Sequence, residues 1–221
     1  MDNPMSMRVY GFWRSLASFR VRVALKIKGI HFVEIPIDIL RGEQFEHGYA
    51  EVNAERVVPT LVHEDRSIFQ SLAIMEYLDD IQPAPQLIPR DARERAYARS
   101  LALVAVADAH PLITPRVCNH LAKAFGADAQ AIESWRMHWT LEGLATYERL
   151  LTRRSPAPFA LGEEPCVADI CIAGQIIAAQ FFKIDLAEFP YVGQLAERCF
   201  ALPAFATSHP HEQPGYKAKP G

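Results

Sequence analysis

Along the first part of the chain, short apolar runs alternate with brief helical stripes. Arg8 to Phe12 is an apolar run of strand length, and beyond Arg14 and Ser15 the positions Val21, Ala24, Leu25 and Ile27 recur near helical spacing. This predicts a strand followed by a helix that ends near Lys28-Gly29, with the glycine just past the last turn. His31 to Ile37 reads as a second strand, and Pro36 places it at a sheet edge or at its own end. The polar stretch Asp38 to Ala50 predicts a loop with a short helix around Glu43 to Tyr49. Val57 to Val62 and Ser67 to Phe69 flank the polar turn His63-Glu64-Asp65-Arg66, which is the pattern of a hairpin. Leu72, Met75 and Leu78 then share one face of a helix that begins at Gln70-Ser71.

The pattern changes after Gln82. Gln82 to Asp91 carries Pro83, Pro85 and Pro89 without periodicity and predicts an extended linker. Strand patterns then disappear. A helix is predicted from Ala92 to His110, stopped by Pro111 and Pro115. Another runs from Ala129 to Leu151, with Ile132, Trp135, Trp139, Leu144, Tyr147 and Leu151 at helical spacing. Val167 to Phe182 is apolar on all sides, as a central helix would be, and Tyr191 to Phe200 is the last. The expected organisation is a small α/β domain over residues 1–82, a linker at 83–90 and an all-helical domain over 91–221, with a loosely ordered tail from His209.

Composition narrows the functions. The chain has 221 residues, 50% of them hydrophobic, and a formal net charge of -3, which argues against nucleic acid or an anionic membrane as the partner. No apolar run reaches the roughly 20 residues of a membrane span, and Met1 to Met7 lacks the order of a secretory leader, so a cytoplasmic protein is expected. Cys118, Cys166, Cys171 and Cys199 form no Cys-x-x-Cys pair and are expected to be reduced and buried. The eight histidines offer no spacing suited to a metal, so no metal is expected.

Candidate chemistry gathers where strands hand over to helices. Arg14 and Ser15 precede a helix whose first N–H groups and dipole stabilise an anion or a thiolate. Ser15 or Ser18 equally suits an N-cap. Val58-Pro59 opens a strand, where a cis bond would leave the Val58 main chain to a ligand; the sequence alone does not decide the isomer. Gln70-Ser71 places an amide, a hydroxyl and a second helix start together, suited to a carboxylate or to simple capping. His110, before Pro111, reads either as a site residue or as an imidazole at a helix C-terminus. Arg116 and Arg14 are candidates to meet an anionic substrate. Asp169 reads as the acid of a capping box with Cys166, a folding role.

Taken together, Phe12-Trp13-Arg14-Ser15, Ser18, Arg20-Val21-Arg22-Val23-Ala24-Leu25, Lys28-Gly29, Gly42-Glu43-Gln44-Phe45, Val58-Pro59-Thr60-Leu61, Gln70-Ser71, Asp108-x-His110-Pro111, Ala168-Asp169 and Lys183-Ile184-Asp185-Leu186 resemble the cytosolic glutathione transferases. Within them the resemblance is to the zeta class and the maleylacetoacetate and maleylpyruvate isomerases, from about Met7 to Pro214. It implies a thioredoxin-like N-terminal domain that binds glutathione, a helical domain that completes the substrate pocket, and a homodimer. Carried over residue by residue, Ser15 holds the glutathione thiolate, Val58 and Pro59 pair with the cysteinyl main chain, and Gln70 with Ser71 takes the γ-glutamyl end. Gln44 and His110 contact the glycyl end, and Ser18 joins the cofactor-binding set. Arg14 and Arg116 bind the substrate carboxylate and the developing enolate charge.

The implied reaction is thiolate addition to a maleyl-type keto acid, rotation and elimination. The alternatives are conjugation or dehalogenation of a small apolar electrophile and, outside enzymology, a non-catalytic binding module. Three positions depart from the pattern. Leu16-Ala17 follow Ser15 where zeta enzymes have Ser-Cys, Phe181-Phe182 stand where relatives supply an arginine, and Cys166 stands where the capping box has Ser or Thr.

Overall fold

The computed structural model describes residues 7–217. The reading of the first residues as lacking a leader lies outside these. The chain divides into two compact units, one built from the N-terminal residues through Leu87 together with the segment from Leu202, the other from Ile88–Ala201.

In the first unit, β1 (Met7–Gly11), α1 (Leu16–Ile27) and β2 (Phe32–Pro36) form a βαβ step, followed by α2 (His47–Val52), the hairpin β3 (Thr60–His63) and β4 (Arg66–Phe69), and α3 (Ser71–Ile81). The sheet order is β2-β1-β3-β4. β1 runs parallel to β2 in the register Val9↔Glu34 and antiparallel to β3 in the register Val9↔Leu61. Pro36 is therefore both on an edge strand and at its end, where its missing N–H costs least.

Every residue of α1 from Ser18 to Leu25 is buried. A helix covered on all sides needs a partner on each side. α3 supplies one. The other is the C-terminal segment, where α9 (Pro203–Ala206) sets the fully buried Phe205 edge-on to Phe19 at 6.5 Å. Burial of one such aromatic contributes roughly 1.5–3 kcal/mol. Lys26 Nζ also donates to the Thr207 carbonyl at 2.9 Å. This differs from the expected 91–221 domain and its loose tail: residues 202–217 belong to the first unit, and α10 (Pro214–Lys217) lies beyond a Gln213 that is buried and hydrogen-bonded to Thr207 and His209 carbonyls.

The expected linker is pinned rather than free. Lys28 Nζ, 2% exposed, reaches Asp79 Oδ1 at 2.5 Å and donates to the Gln82 and Pro85 carbonyls, while Asp79 also accepts from Leu87 N at 2.7 Å.

The second unit is helical. It comprises α4 (Ala92–Leu103), α5 (Pro115–Phe125), α6 (Ala129–Leu151), α7 (Val167–Phe181) and α8 (Pro190–Ala201). α7 is buried continuously from Val167 to Ala179, as its uniform apolarity predicts. The predicted helix from Ala92 to His110 is present and changes its winding along the way: α4 covers Ala92–Leu103, a π-helical stretch spans Val104–Ala109, and a 3-10 turn spans His110–Ile113. Pro111 lacks an N–H and its ring crowds the carbonyl four residues back, so the helix approaches it wound wider and does not continue. All four cysteines are free and buried. Burial raises the Cys166 and Cys199 thiols well above their ordinary range, which keeps both protonated. Among the described residues no single helix is long and apolar enough to cross a membrane.

Candidate active site

The loop between β1 and α1 is held at every turn. Ser15 N donates to the Phe12 carbonyl at 3.0 Å, Phe12 N donates to Ser18 Oγ at 3.2 Å, and Arg22 NH2 donates to the Trp13 carbonyl at 3.2 Å. Arg22 is 1% exposed and also meets Glu34 Oε1 at 2.8 Å. Burial lowers the Arg22 pKa from its ordinary value, and Glu34 opposes that change. Glu34 in turn comes so close to β1 that a Cβ on Gly11 would lie 2.8 Å from its Oε1, so a side chain there would push Glu34 out of its pairing with Arg22.

Ser15 is the N-cap of α1. Its Oγ accepts from Ser18 N at 3.1 Å. The cap uses a lone pair and leaves the hydroxyl proton, which makes no hydrogen bond among the described residues. Capping and donation to a sulfur anion are therefore compatible in one side chain. Arg14 beside it is exposed.

A second group surrounds the start of β3. Tyr49 Oη donates to the Val57 carbonyl at 2.5 Å and meets Thr60 Oγ1 at 2.9 Å, and Asn53 Nδ2 donates to both. Burial raises the Tyr49 pKa, which keeps the phenol a donor. These bonds fix the loop that ends in the cis Val58–Pro59 bond. The Val58 N–H and C=O make no main-chain hydrogen bond among the described residues, so an extended peptide can pair with them as a further strand would. Gln44 presents a buried Oε1 without a hydrogen-bond partner, again among the described residues. Such an orphan acceptor suits an N–H brought by a ligand.

At the start of α3, Gln70 has φ 68°, a left-handed conformation that costs a non-glycine residue roughly 1–3 kcal/mol. Its Nε2 lies 2.9 Å from both oxygens of Glu55. Ser71, 2% exposed, accepts from Arg20 NH1 at 3.4 Å.

In the helical unit, His110 opens the 3-10 turn after the π-helical segment, and Arg116 is exposed in the first turn of α5. Arg116 forms no ion pair among the described residues. A cation at the positive end of a helix adds to the field there rather than cancelling it. Asp169 is fully buried on α7 and accepts from Cys166 N at 2.9 Å and Ala160 N at 2.7 Å, so it serves the fold as its capping position predicts. Burial raises its pKa, and those N–H groups oppose the rise. A cavity of about 350 Å³ in the same unit, lined by Arg154, Ser155, Pro156, Ala157, Ala160 and Leu161, contains none of the expected site residues. Among the described residues no group of three His, Cys, Asp or Glu side chains could hold a metal ion.

Residues 5–80 match the family model for the N-terminal domain of glutathione S-transferase. A probable maleylacetoacetate isomerase of Vibrio cholerae is 36% identical, over 95% of this chain and 98% of its own. A maleylpyruvate isomerase of a Ralstonia species is 34% identical, over 94% and 99%. The chain belongs to the zeta class of glutathione transferases. Solved structures agree along the whole length. A maleylpyruvate isomerase described as a bacterial zeta-class glutathione transferase superposes with a TM-score of 0.89 at 33% identity, over 94% of this chain and 98% of its own. The maleylacetoacetate isomerase of Methylobacterium extorquens, with bound malonate and glutathione, gives 0.91 at 37%, again over 94% and 98%.

Of the residues that the zeta-class motifs single out, the first unit holds Arg14, Ser15, Gln44, Val58, Pro59, Gln70 and Ser71, and the second holds His110 and Arg116. Ser18 is a correction. It is fully buried and its Oγ accepts from Phe12 N, so it ties the loop together and presents nothing to a ligand. Two polar residues beside the candidate site were given no role from the sequence. Glu55 lies in an exposed loop with no periodic signal, and Arg20, although part of the motif that carries the resemblance, sits within the apolar stripe of α1, where an arginine would ordinarily reach for solvent.

Proposed function

We propose that this zeta-class protein is a glutathione-dependent cis-trans isomerase of a maleyl-type keto acid, maleylacetoacetate or maleylpyruvate. The observation that carries the reading is Ser15, whose hydroxyl proton is free at the N-terminus of α1 while its lone pair caps the helix. The residues present also fit the tripeptide. Val58 offers an unpaired main chain, Gln44 an orphan acceptor, and Gln70 and Ser71 a polar helix start.

The chemistry that glutathione supplies when bound is a thiol nucleophile for reversible addition to the cis double bond. An ordinary thiol with a pKa near about 8.5 is only slightly ionised at neutral pH. The Ser15 hydroxyl would donate a hydrogen bond to the sulfur anion while keeping its proton, and the first N–H groups of α1 would add their dipole, so the anion is favoured. Arg14 neutralises the substrate carboxylate and the negative charge that develops on its carbonyl oxygen. Arg116 is proposed as a second carboxylate ligand and His110 as a contact of the glycyl end. The relative with bound malonate and glutathione supports a site that accepts a dicarboxylate beside the tripeptide.

A second reading is favoured by one observation. Phe181 closes α7 and Phe182 follows it, where an arginine would add a cation. An apolar end there suits conjugation or dehalogenation of an apolar electrophile. The test follows the absorbance of maleylpyruvate and maleylacetoacetate with and without glutathione, beside conjugation of chlorodinitrobenzene. Glutathione-dependent isomerisation is the expected result; conjugation without isomerisation overturns it in favour of the second reading. We infer a homodimer in the cytoplasm from the same family membership, and sedimentation at twice the chain mass is the expected result.

A further inference from the structure

α1 carries three buried cations, Arg20, Arg22 and Lys28 at its C-cap, exposed to 1%, 1% and 2%. Two are matched. Arg22 meets Glu34 and the carbonyls of Trp13 and Ser208, and Lys28 meets Asp79 and the carbonyls of Gln82 and Pro85. Arg20 is not. Its one hydrogen bond is the long contact from NH1 to Ser71 Oγ, 3.4 Å, and neither Nε nor NH2 has a partner among the described residues.

A guanidinium stays charged and brings five N–H donors, and burying it without a counter-charge is costly. Leucine or methionine would fill the same place on an apolar stripe without that cost. The arrangement makes sense if the counter-charge arrives with a ligand. Ser71 indicates where. It opens α3, next to the strained Gln70, and because Arg20 donates to its oxygen, its own hydroxyl proton is left to point away from Arg20, where it could serve an acceptor brought by a ligand.

We propose that Arg20 is a positioning residue for the γ-glutamyl carboxylate of glutathione. It fixes the Ser71 hydroxyl as a donor to that carboxylate and supplies the positive charge behind it. The carboxylate is in turn the counter-ion that Arg20 lacks. This rests on the glutathione reading above.

The test is a cycle between protein and ligand, measured by calorimetry. The ligands are glutathione and 4-aminobutyryl-cysteinyl-glycine, which is glutathione without the γ-glutamyl carboxylate. The proteins are the wild type, Arg20→Met and Arg20→Lys. Arg20→Met is expected to bind glutathione about tenfold more weakly while binding the analogue within about twofold of wild type, so the preference for the carboxylate collapses. Arg20→Lys, which keeps the charge, restores part of the preference.

An equal loss for both ligands would mark Arg20 as merely structural and overturn the proposal, as would unchanged glutathione binding. Should Arg20→Met fail to fold, Arg20→Gln keeps an N–H for Ser71 without the charge and reads the same ratio. Wild-type protein that binds neither ligand overturns the glutathione reading itself; wild type that binds glutathione with no change of ratio in the variants overturns only the role of Arg20.

Discussion

A serine hydroxyl has more hydrogen-bonding capacity than a cap consumes, and Ser15 depends on that surplus. Replacing Ser15 by Ala removes both the acceptor for Ser18 N and the donor for sulfur. We expect a loss of about 1 kcal/mol of stability and of about 100-fold in turnover, with an unchanged circular dichroism spectrum; turnover within threefold of wild type would exclude Ser15 as the thiolate donor. Gln70 offers the opposite trade. Gln70→Gly relieves a left-handed φ and is expected to raise the melting temperature by a few degrees, while weakening glutathione binding by about tenfold through loss of the amide. Calorimetry and a thermal melt read the two effects separately. Ser15, Val58, Gln70 and Ser71 were legible as candidates because they stand at strand-helix junctions or beside a proline. Ser18 was misassigned because a hydroxyl at a helix start reads alike whether it faces a ligand or ties a loop. The burial of Arg20 was illegible because it lies toward Ser71 of α3, fifty-one residues on, a packing that spacing does not record.

Elements with a clean apolar period appear where predicted. α6 spans Ala129–Leu151 as its Trp and Leu spacing predicts, and β3 and β4 form the predicted hairpin, with β3 beginning at Thr60, beyond Pro59, instead of at Val57. The helix from Ala92 also reaches His110 as predicted, but the steric demand of Pro111 is felt several residues earlier as a π-helical stretch that the composition does not announce. The α1–α3 pair also depends on a charge that neither pattern announces, the Lys28–Asp79 pair at the end of both helices. Asp79→Ala strands a buried ammonium and the Leu87 N–H at once. The expected cost is about 3–5 kcal/mol, measured as an earlier urea midpoint; a change below 1 kcal/mol would mean that the Gln82 and Pro85 carbonyls suffice for Lys28.

For the whole molecule, the division into an α/β unit and a helical unit was legible in the change of composition after Gln82, and the return of the C-terminal segment was not. That segment is also sensitive to acid. His209, partly buried, accepts from His211 N through Nδ1 and has its pKa lowered to about 4, chiefly by burial, then by His211 and Arg22, against which Glu212 acts. The unfolded chain binds this proton below about pH 6.5, the folded one only below about pH 4. The stability from the neutral imidazole is therefore present above pH 6.5 and lost as pH falls through that window. Amide exchange of residues 202–213 is expected to quicken between pH 6.5 and 4, beyond the intrinsic pH trend, and His209→Gln to remove the extra dependence.

The discontinuous first unit has a consequence during protein synthesis. Residues 7–87 leave the ribosome long before residue 202 is made, and at about 5–20 residues per second the wait lasts roughly six to twenty seconds. Throughout it, the Phe19 side of α1 has no Phe205 to cover it. The nascent unit carries its sheet and the loops of the candidate site behind an open apolar face, a surface on which a chaperone can act until translation supplies the final segment.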